Sequence, residues 1–285
     1  EMTGAHRDNP SRSDLWRAAV KVPMYTVAVT PIIVGSASAY ADSGRLSVPT
    51  LIAFLVAAVC IIAWLNLTND VFDFDTGIDR NKAESVVNLC GGDKRARAKI
   101  FIIANVFLAL AFAALTALSF LPTFDPVVLI IMAFDVFGGY SYQGPPFRLG
   151  YLGLGEPICF TTWFLGVVAA YYSQFRLDPE SIARMASYHS ENGQVISSFI
   201  ALRQNLTRPR ESTILIAALL VALPTTLILL CSHFHQLEDD KAAGKRSPIV
   251  RLGTDLASIV VCWSLVGMYV LQLYAWYDGM LPRWP

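Results

Sequence analysis

An all-α, polytopic transmembrane helical bundle is the fold class the sequence predicts, on three observations. Hydrophobic residues fill 54% of the 285 positions and charged residues only 15%, against about 25% in a typical soluble domain. Lysines and arginines number 22, and so do aspartates and glutamates. No net charge is left to keep so apolar a surface in water. Seven apolar runs occupy 22–40, 49–69, 100–121, 126–143, 156–173, 213–233 and 256–276, each near the roughly 20 residues that a helix needs to cross a bilayer. Disorder is excluded, because a chain this apolar collapses. A nucleic-acid partner is excluded too, since no basic excess is available to neutralise a track of phosphates. The five cysteines (Cys60, Cys90, Cys159, Cys231 and Cys262) are scattered without a C-x-x-C pair. That pattern gives neither a disulfide framework nor a zinc site.

Residues 1–21 read as a polar N-terminal segment, longer in polar residues than the leading part of a signal peptide. The first apolar run contains Pro23 and Pro31, which a membrane helix tolerates. The second, 49–69, runs into a dense acidic string. The third and fourth are joined by a short loop without basic residues, and the fifth follows a stretch rich in glycine and proline. A long loop insertion is expected at 174–212, then the sixth and seventh helices. Residues 22–276 thus form one transmembrane domain, and 277–285 a short end expected to be truncated. Basic residues cluster before the first helix (Arg7, Arg12, Arg17, Lys21), after the second (Arg80 to Lys99) and after the sixth (Lys241, Lys245, Arg246, Arg251). With alternating helices, these three clusters share one side of the membrane, the cytoplasm-equivalent one by the positive-inside rule.

Two acidic clusters carry the chemistry. In Asn66-Leu-Thr-Asn-Asp-Val-Phe-Asp-Phe-Asp-Thr-Gly-Ile-Asp79, helical spacing stacks Asn66, Asp70 and Asp73 along one stripe with Asn69 beside them. Gly77 lets the chain leave the helix so that Asp79 folds back. Carboxylates this close repel unless a cation lies between them, and Mg²⁺ suits oxygen donors. A merely solvated helix end gives no reason for Asn66, one turn inside the membrane. The second cluster is Ser232-His-Phe-His-Gln-Leu-Glu-Asp-Asp240, where Ser232, Gln236 and Asp240 form a stripe at four-residue intervals. His233 and His235, with one cysteine nearby, are too few for zinc. Two acidic stripes on one membrane face make a metal cage suited to a diphosphate, with Arg80, Lys82, Lys245 and Arg246 as candidate clamps. Between them lies Gly139-Tyr-Ser-Tyr-Gln-Gly-Pro-Pro-Phe-Arg-Leu-Gly-Tyr-Leu-Gly-Leu-Gly-Glu156. Its glycines and prolines fit a tight interhelical turn equally well, whereas Tyr140, Arg148 and Glu156 are candidates for substrate contact. Asp135 is a membrane-embedded carboxylate and functional by default, but without an evident partner it stays outside this site.

At these motifs the chain resembles the UbiA superfamily of intramembrane aromatic prenyltransferases, and within it the naphthoate phytyltransferases of cyanobacteria and plastids. The strings are Trp64-Leu-Asn-Leu-Thr-Asn-Asp-Val-Phe-Asp73, Asp75-Thr-Gly-Ile-Asp79, Glu84-Ser-Val-Val-Asn-Leu89, Tyr142-Gln-Gly-Pro-Pro-Phe-Arg-Leu-Gly150, Cys231-Ser-His-Phe-His-Gln236 and Gly244-Lys-Arg-Ser-Pro-Ile-Val-Arg-Leu-Gly-Thr254. The resemblance implies a UbiA-like bundle of nine helices, about seven of them present here. It implies Mg²⁺ held by Asn66, Asp70, Asp73, Asp79, Gln236 and Asp240, with Asp70, Asp73 and Asp240 catalytic. Asn69, Tyr140, Arg148, Glu156, His233 and Glu238 would touch substrate. The implied reaction moves a phytyl group from its diphosphate to 1,4-dihydroxy-2-naphthoate with loss of CO₂, toward phylloquinone, in a plastid or cyanobacterial photosynthetic membrane. One departure is that Gln236 stands where the superfamily's second motif usually begins with Asp. Polyprenyl transfer to the same acceptor, as in menaquinone synthesis, is the alternative enzyme. A transporter is the alternative class, but it would place its acidic residues near the bilayer midplane, whereas here they sit at helix ends.

Overall fold

In a computed structural model of the protein, residues 11–78, 82–120, 126–175 and 212–280 are described. They form α1 (Arg12–Val20), α2 (Val22–Ser43), α3 (Val48–Thr76), α4 (Val86–Leu89), α5 (Lys94–Thr116), α6 (Pro126–Gln143), α7 (Gly155–Phe175), α8 (Ser212–Ser232), α9 (Leu237–Ala242) and α10 (Pro248–Tyr277). No strand occurs among the described residues. The seven apolar runs fall in α2, α3, α5, α6, α7, α8 and α10. Five segments are long and apolar enough to cross a membrane by length and composition: Arg12–Ser43, Val48–Thr76, Lys94–Phe120, Thr213–Ser232 and Pro248–Tyr277. The insertion expected at 174–212 begins and ends inside helices, at Gln174 and Ser212, and 176–211 lie outside the described residues. The seventh apolar run, 256–276, falls in the long part of α10, which Gly253, at φ 76° and ψ 166°, separates by a kink from the short helical stretch that starts at Pro248.

Local chemistry sets the helix ends. Ser11, Ser47 and Asp93 cap α1, α3 and α5 through side-chain oxygens that accept from Asp14, Thr50 and Ala96 N–H groups. Gly77, at φ 75°, ends α3 in the left-handed conformation. The sequence predicts that exit from the helix; Asp79 beyond it lies outside the described residues.

α7 is the central helix and packs against α2, α3, α6 and α8. Six consecutive residues, Val167 to Tyr172, are buried, which explains why α7 can afford polar and aromatic residues that a lipid-facing helix would exclude. A Cβ on Gly35 of α2 would stand 2.4 Å from the Val167 carbonyl oxygen, so only glycine lets α2 approach α7 this closely. At the end of α7, Gln174 accepts from Ser47 N–H at 2.8 Å and donates to Ser47 O at 3.1 Å. Nearby the Tyr171 hydroxyl donates to Asp42 at 2.8 Å. Outer helices turn large apolar side chains outward, among them Ile102, Phe134, Trp263, Tyr269 and Tyr277. A surface of this kind is stable against lipid rather than water.

Candidate active site

Helices α2, α3, α6, α7 and α8 line a half-open cavity of 320 Å³. Its wall is mostly apolar, with Pro31, Ile61, Met132, Ile158, Trp163 and Leu229 among its residues. Asn69, Tyr142 and Ser232 line it toward the helix ends where both acidic motifs stand.

The first motif lies on one unbroken helix, α3, yet its members diverge. At 3.6 residues per turn, Asn66 and Asp73 point within about 20° of each other, while Asp70 is turned about 60° from Asp73. Asn66 and Asn69 line the cavity. Asp70 is 1% exposed. It accepts the Val86 N–H at 2.8 Å, capping the start of α4, and lies 3.3 Å from Lys21 Nζ. Asp70 therefore has protein partners on both oxygens and ties α1, α3 and α4 together. Asp73 is half-buried, and Gln143 Nε2 donates to its Oδ2 at 3.5 Å. Asp75 leaves the cluster altogether: Arg97 grips it with two nitrogens and covers the Phe101 ring at 5.2 Å.

The second motif does not continue α8 as a helical stripe. The chain makes tight turns at 233–236, with His233 N–H bonded to Leu230 O and Gln236 N–H to His233 O, and restarts as α9. The expected Ser232–Gln236–Asp240 stripe is thereby broken. Ser232 lines the cavity, Gln236 is exposed, and Asp240 is buried on α9. Gly244, at φ 71°, bends the chain back, and Lys245 Nζ lies 3.1 Å from Asp240 Oδ1, both side chains buried. The other oxygen of Asp240, Oδ2, is buried without a hydrogen-bond partner. Arg246 turns its side chain outward while its N–H bonds to Tyr151 O at 2.8 Å. Glu238 is exposed and pairs with Lys241 at 3.0 Å, away from the mouth.

The glycine- and proline-rich connection joins the two motifs. Tyr151 meets Thr76 of α3 at 3.3 Å and receives the Arg246 N–H, and Arg251 donates to the Leu152 carbonyl. Tyr140 packs edge-on against Phe72 at 5.8 Å and donates to Pro145 O at 2.6 Å, so it holds the loop's shape. Tyr142 turns inward. It lines the cavity beside Gln143, the residue that donates to Asp73. Gly150 and Gly155 make room for its ring, since a Cβ at Gly155 would lie 2.5 Å from Tyr142 Cε2. His233 Nδ1 lies 3.1 Å from Glu156 Oε1, and neither Glu156 oxygen has an aligned hydrogen bond. Arg148 stands at φ 45° with its Nε buried and unpartnered. Lys82 is half-buried on the turn into α4, where its carbonyl accepts from Asn88. Asp79 and Arg80 lie outside the described residues.

Asp73, Asp240, Glu156 and His233 are thus gathered at one end of the bundle; Asp70, Gln236, Glu238 and Tyr140 have other surroundings. Among the described residues, no three His, Cys, Asp or Glu side chains converge as a ready-made metal cluster. Sequence reasoning missed Lys21, Tyr142 and Gln143. Lys21 meets Asp70 across 49 positions, and no local spacing announces such a contact. Tyr142 sits among several aromatics of equal sequence standing.

Residues 28–285 match the UbiA prenyltransferase family. The chain is 46% identical, over 92% of its own length and 74% of the relative's, to the 2-carboxy-1,4-naphthoquinone phytyltransferase of Synechocystis. It is 38% identical, over 96% of its length and 64% of the relative's, to the chloroplastic 2-carboxy-1,4-naphthoquinone phytyltransferase of Arabidopsis thaliana. A human UbiA prenyltransferase domain-containing protein 1 is 30% identical over 53% of this chain and 44% of that protein. No solved structure matches.

Proposed function

Because the chain belongs to the UbiA prenyltransferase family, we propose that it moves a phytyl or related prenyl group from its diphosphate to 1,4-dihydroxy-2-naphthoate, with loss of CO₂, in phylloquinone synthesis. The observation that carries this reading is an apolar cavity among five helices that ends where Asp73 of the first motif meets Gln143 and where His233 of the second motif lies 3.1 Å from Glu156. The cavity accommodates the tail without bringing it into water, and the acidic end receives the head group.

The reaction begins with cleavage of the C–O bond between the allylic carbon and the diphosphate. The electron pair leaves with the diphosphate, and the allylic cation attacks the ring carbon that bears the carboxylate. Loss of CO₂ returns the C–C bonding electrons to the ring. The two phytyltransferase relatives are named for a 2-carboxy-1,4-naphthoquinone. A quinone ring is too electron-poor to attack a cation, so the acceptor reacts as the quinol, two electrons and two protons richer.

The donor set suits a divalent cation. Asp73 and the unpartnered Oδ2 of Asp240 offer carboxylate oxygens, and Asp79 and Gln236 are further oxygen donors in the same motifs. Mg²⁺ typically takes one or two carboxylates and completes its shell with substrate phosphates and water. Bound there, the cation would neutralise the charge that builds on the departing diphosphate. Asn66, seven residues and about 10 Å along α3 from Asp73, is too far in to share that ion. Lys245 holds Asp240 in place; Arg246, Lys82 and Arg80 are the candidate cations for the diphosphate's outer oxygens. Around the allylic carbon the apolar wall excludes the water that would otherwise trap the cation. The membrane that fits the two phytyltransferase relatives is photosynthetic, cyanobacterial or plastid.

The test is an assay on membranes holding the protein, with the reduced naphthoate, Mg²⁺, and phytyl or longer polyprenyl diphosphates. The expected product has the mass of the decarboxylated naphthalenediol plus one prenyl group, and that mass identifies the tail. Absence of product with every diphosphate overturns the reading.

A further inference from the structure

Asp135 projects from α6 into the same cavity, and the chemistry at the mouth does not use it. Its Oδ1 is buried and has no hydrogen-bond partner. Asn66 of α3 lines the cavity as well, and its Nδ2 is likewise buried and unpartnered. Side chains around them in the wall are apolar, including Ile61, Ile62, Leu65 and Met132. A buried polar atom with no partner forfeits hydrogen bonds to water and gains nothing in return. Native proteins leave few such atoms, and each calls for an explanation. Here one unmet donor and one unmet acceptor face a single cavity.

We infer that Asn66 and Asp135 together form the seat of the aromatic acceptor, a flat ring carrying two oxygen substituents. This rests on the prenyl-transfer reading above and names the acceptor subsite within it. A ring hydroxyl donates to Asp135 Oδ1, and the ring's second oxygen accepts from Asn66 Nδ2. A saturated hydrocarbon tail satisfies neither atom. Asn66 lies about 10 Å in from Asp73 along α3, and Asp135 about 10 Å in from Tyr142 along α6, each seven residues at 1.5 Å. That places the ring below the diphosphate and against the allylic end of the chain. Leu65 and Gly139 touch, a Cβ at Gly139 falling 2.7 Å from Leu65 Cδ2. This contact holds α3 and α6 side by side next to Asn66 and one turn from Asp135. Gly139 also lines the cavity.

The experiment measures equilibrium binding to the protein in lipid nanodiscs, separately for reduced 1,4-dihydroxy-2-naphthoate, for 2-naphthoate without hydroxyls, and for phytyl diphosphate with Mg²⁺. The variants are Asp135→Leu, Asn66→Leu and Asp135→Asn. Loss of one desolvated hydrogen bond should weaken the dihydroxynaphthoate about tenfold in each leucine variant. Binding of 2-naphthoate and of the diphosphate should stay at wild-type strength, and Asp135→Asn should retain most of the affinity. The unliganded Asp135→Leu protein should melt higher than wild type, since it no longer buries an unpaired polar group; a structural role would lower the Tm. Unchanged dihydroxynaphthoate affinity in both leucine variants overturns the inference, as does an equal loss for 2-naphthoate. Wild-type protein that binds no naphthoate also overturns it. If the wild type binds the acceptor but transfers no prenyl group, the proposed function fails while the binding data still decide the seat.

Discussion

Removing one member of a buried charge pair strands the other without water, and the cost scales with how deeply the stranded group lies. Asp70 and Asp73, three residues apart, should therefore respond to substitution in opposite ways. Asp70 holds Lys21 and the Val86 N–H, and its replacement affects folding. Asp70→Ala is expected to cost roughly 2–3 kcal/mol, less than a fully buried pair because Lys21 keeps some contact with water. Thermal unfolding in detergent would read this as a lowered Tm. Asp73 stands at the mouth beside Gln143, so Asp73→Asn should fold normally and lose turnover by about two to three orders of magnitude. A well-folded Asp73→Asn protein with near-normal turnover would remove Asp73 from the diphosphate site. The buried Lys245–Asp240 pair follows the same logic: Lys245 sets the position of a carboxylate more directly than it reaches for substrate.

At the scale of elements, glycines decide how closely the pieces of the site approach. Gly155 opens α7 at the point where the Tyr142 ring passes, and Gly150 flanks the other side of that ring. A methyl group at 155 would overlap the ring by more than a side-chain adjustment can absorb. Overpacking of this kind costs typically about 1–3 kcal/mol. Gly155→Ala is expected to lower the Tm and to raise KM for the prenyl diphosphate, because Tyr142 is pushed off its position in the cavity wall. Wild-type Tm together with wild-type KM would show that the ring has room the geometry denies it. Gly35 does similar work between α2 and α7, where the contact is with backbone and no neighbouring side chain can yield.

At the scale of the whole molecule, the mouth exists only if the end of α3, the loop before α7 and the turn before α10 share one face of the membrane. Tyr151, in contact with Thr76 and with the Arg246 N–H, fixes that relation. Single cysteines at the exposed positions Ala83 and Ala243 in a cysteine-free background should label with an impermeant reagent from one side. A cysteine at exposed Ala41, beside the opposite turn, should label from the other. Labelling of Ala83→Cys and Ala243→Cys from opposite sides would be incompatible with a shared diphosphate site.

The sequence by itself determined the membrane class, the seven apolar helices and the presence of two acidic motifs at helix ends. Each follows from composition or from spacing along one helix, which short-range geometry fixes. It also placed Gly77 correctly as the exit from α3. Tertiary structure alone decided which partner each carboxylate meets. Asp70 and Asp73 differ by about 60° around α3, and only the arrival of Lys21 and α4 on one side turns that rotation into a difference of task. The break at 233–236 was hidden for the same kind of reason: the segment reads as a continuing helix until its turns and the bend at Gly244 bring Lys245 back onto Asp240. The cavity that both Asn66 and Asp135 line is formed by five helices from distant parts of the chain, and no periodicity within one helix carries the position of another.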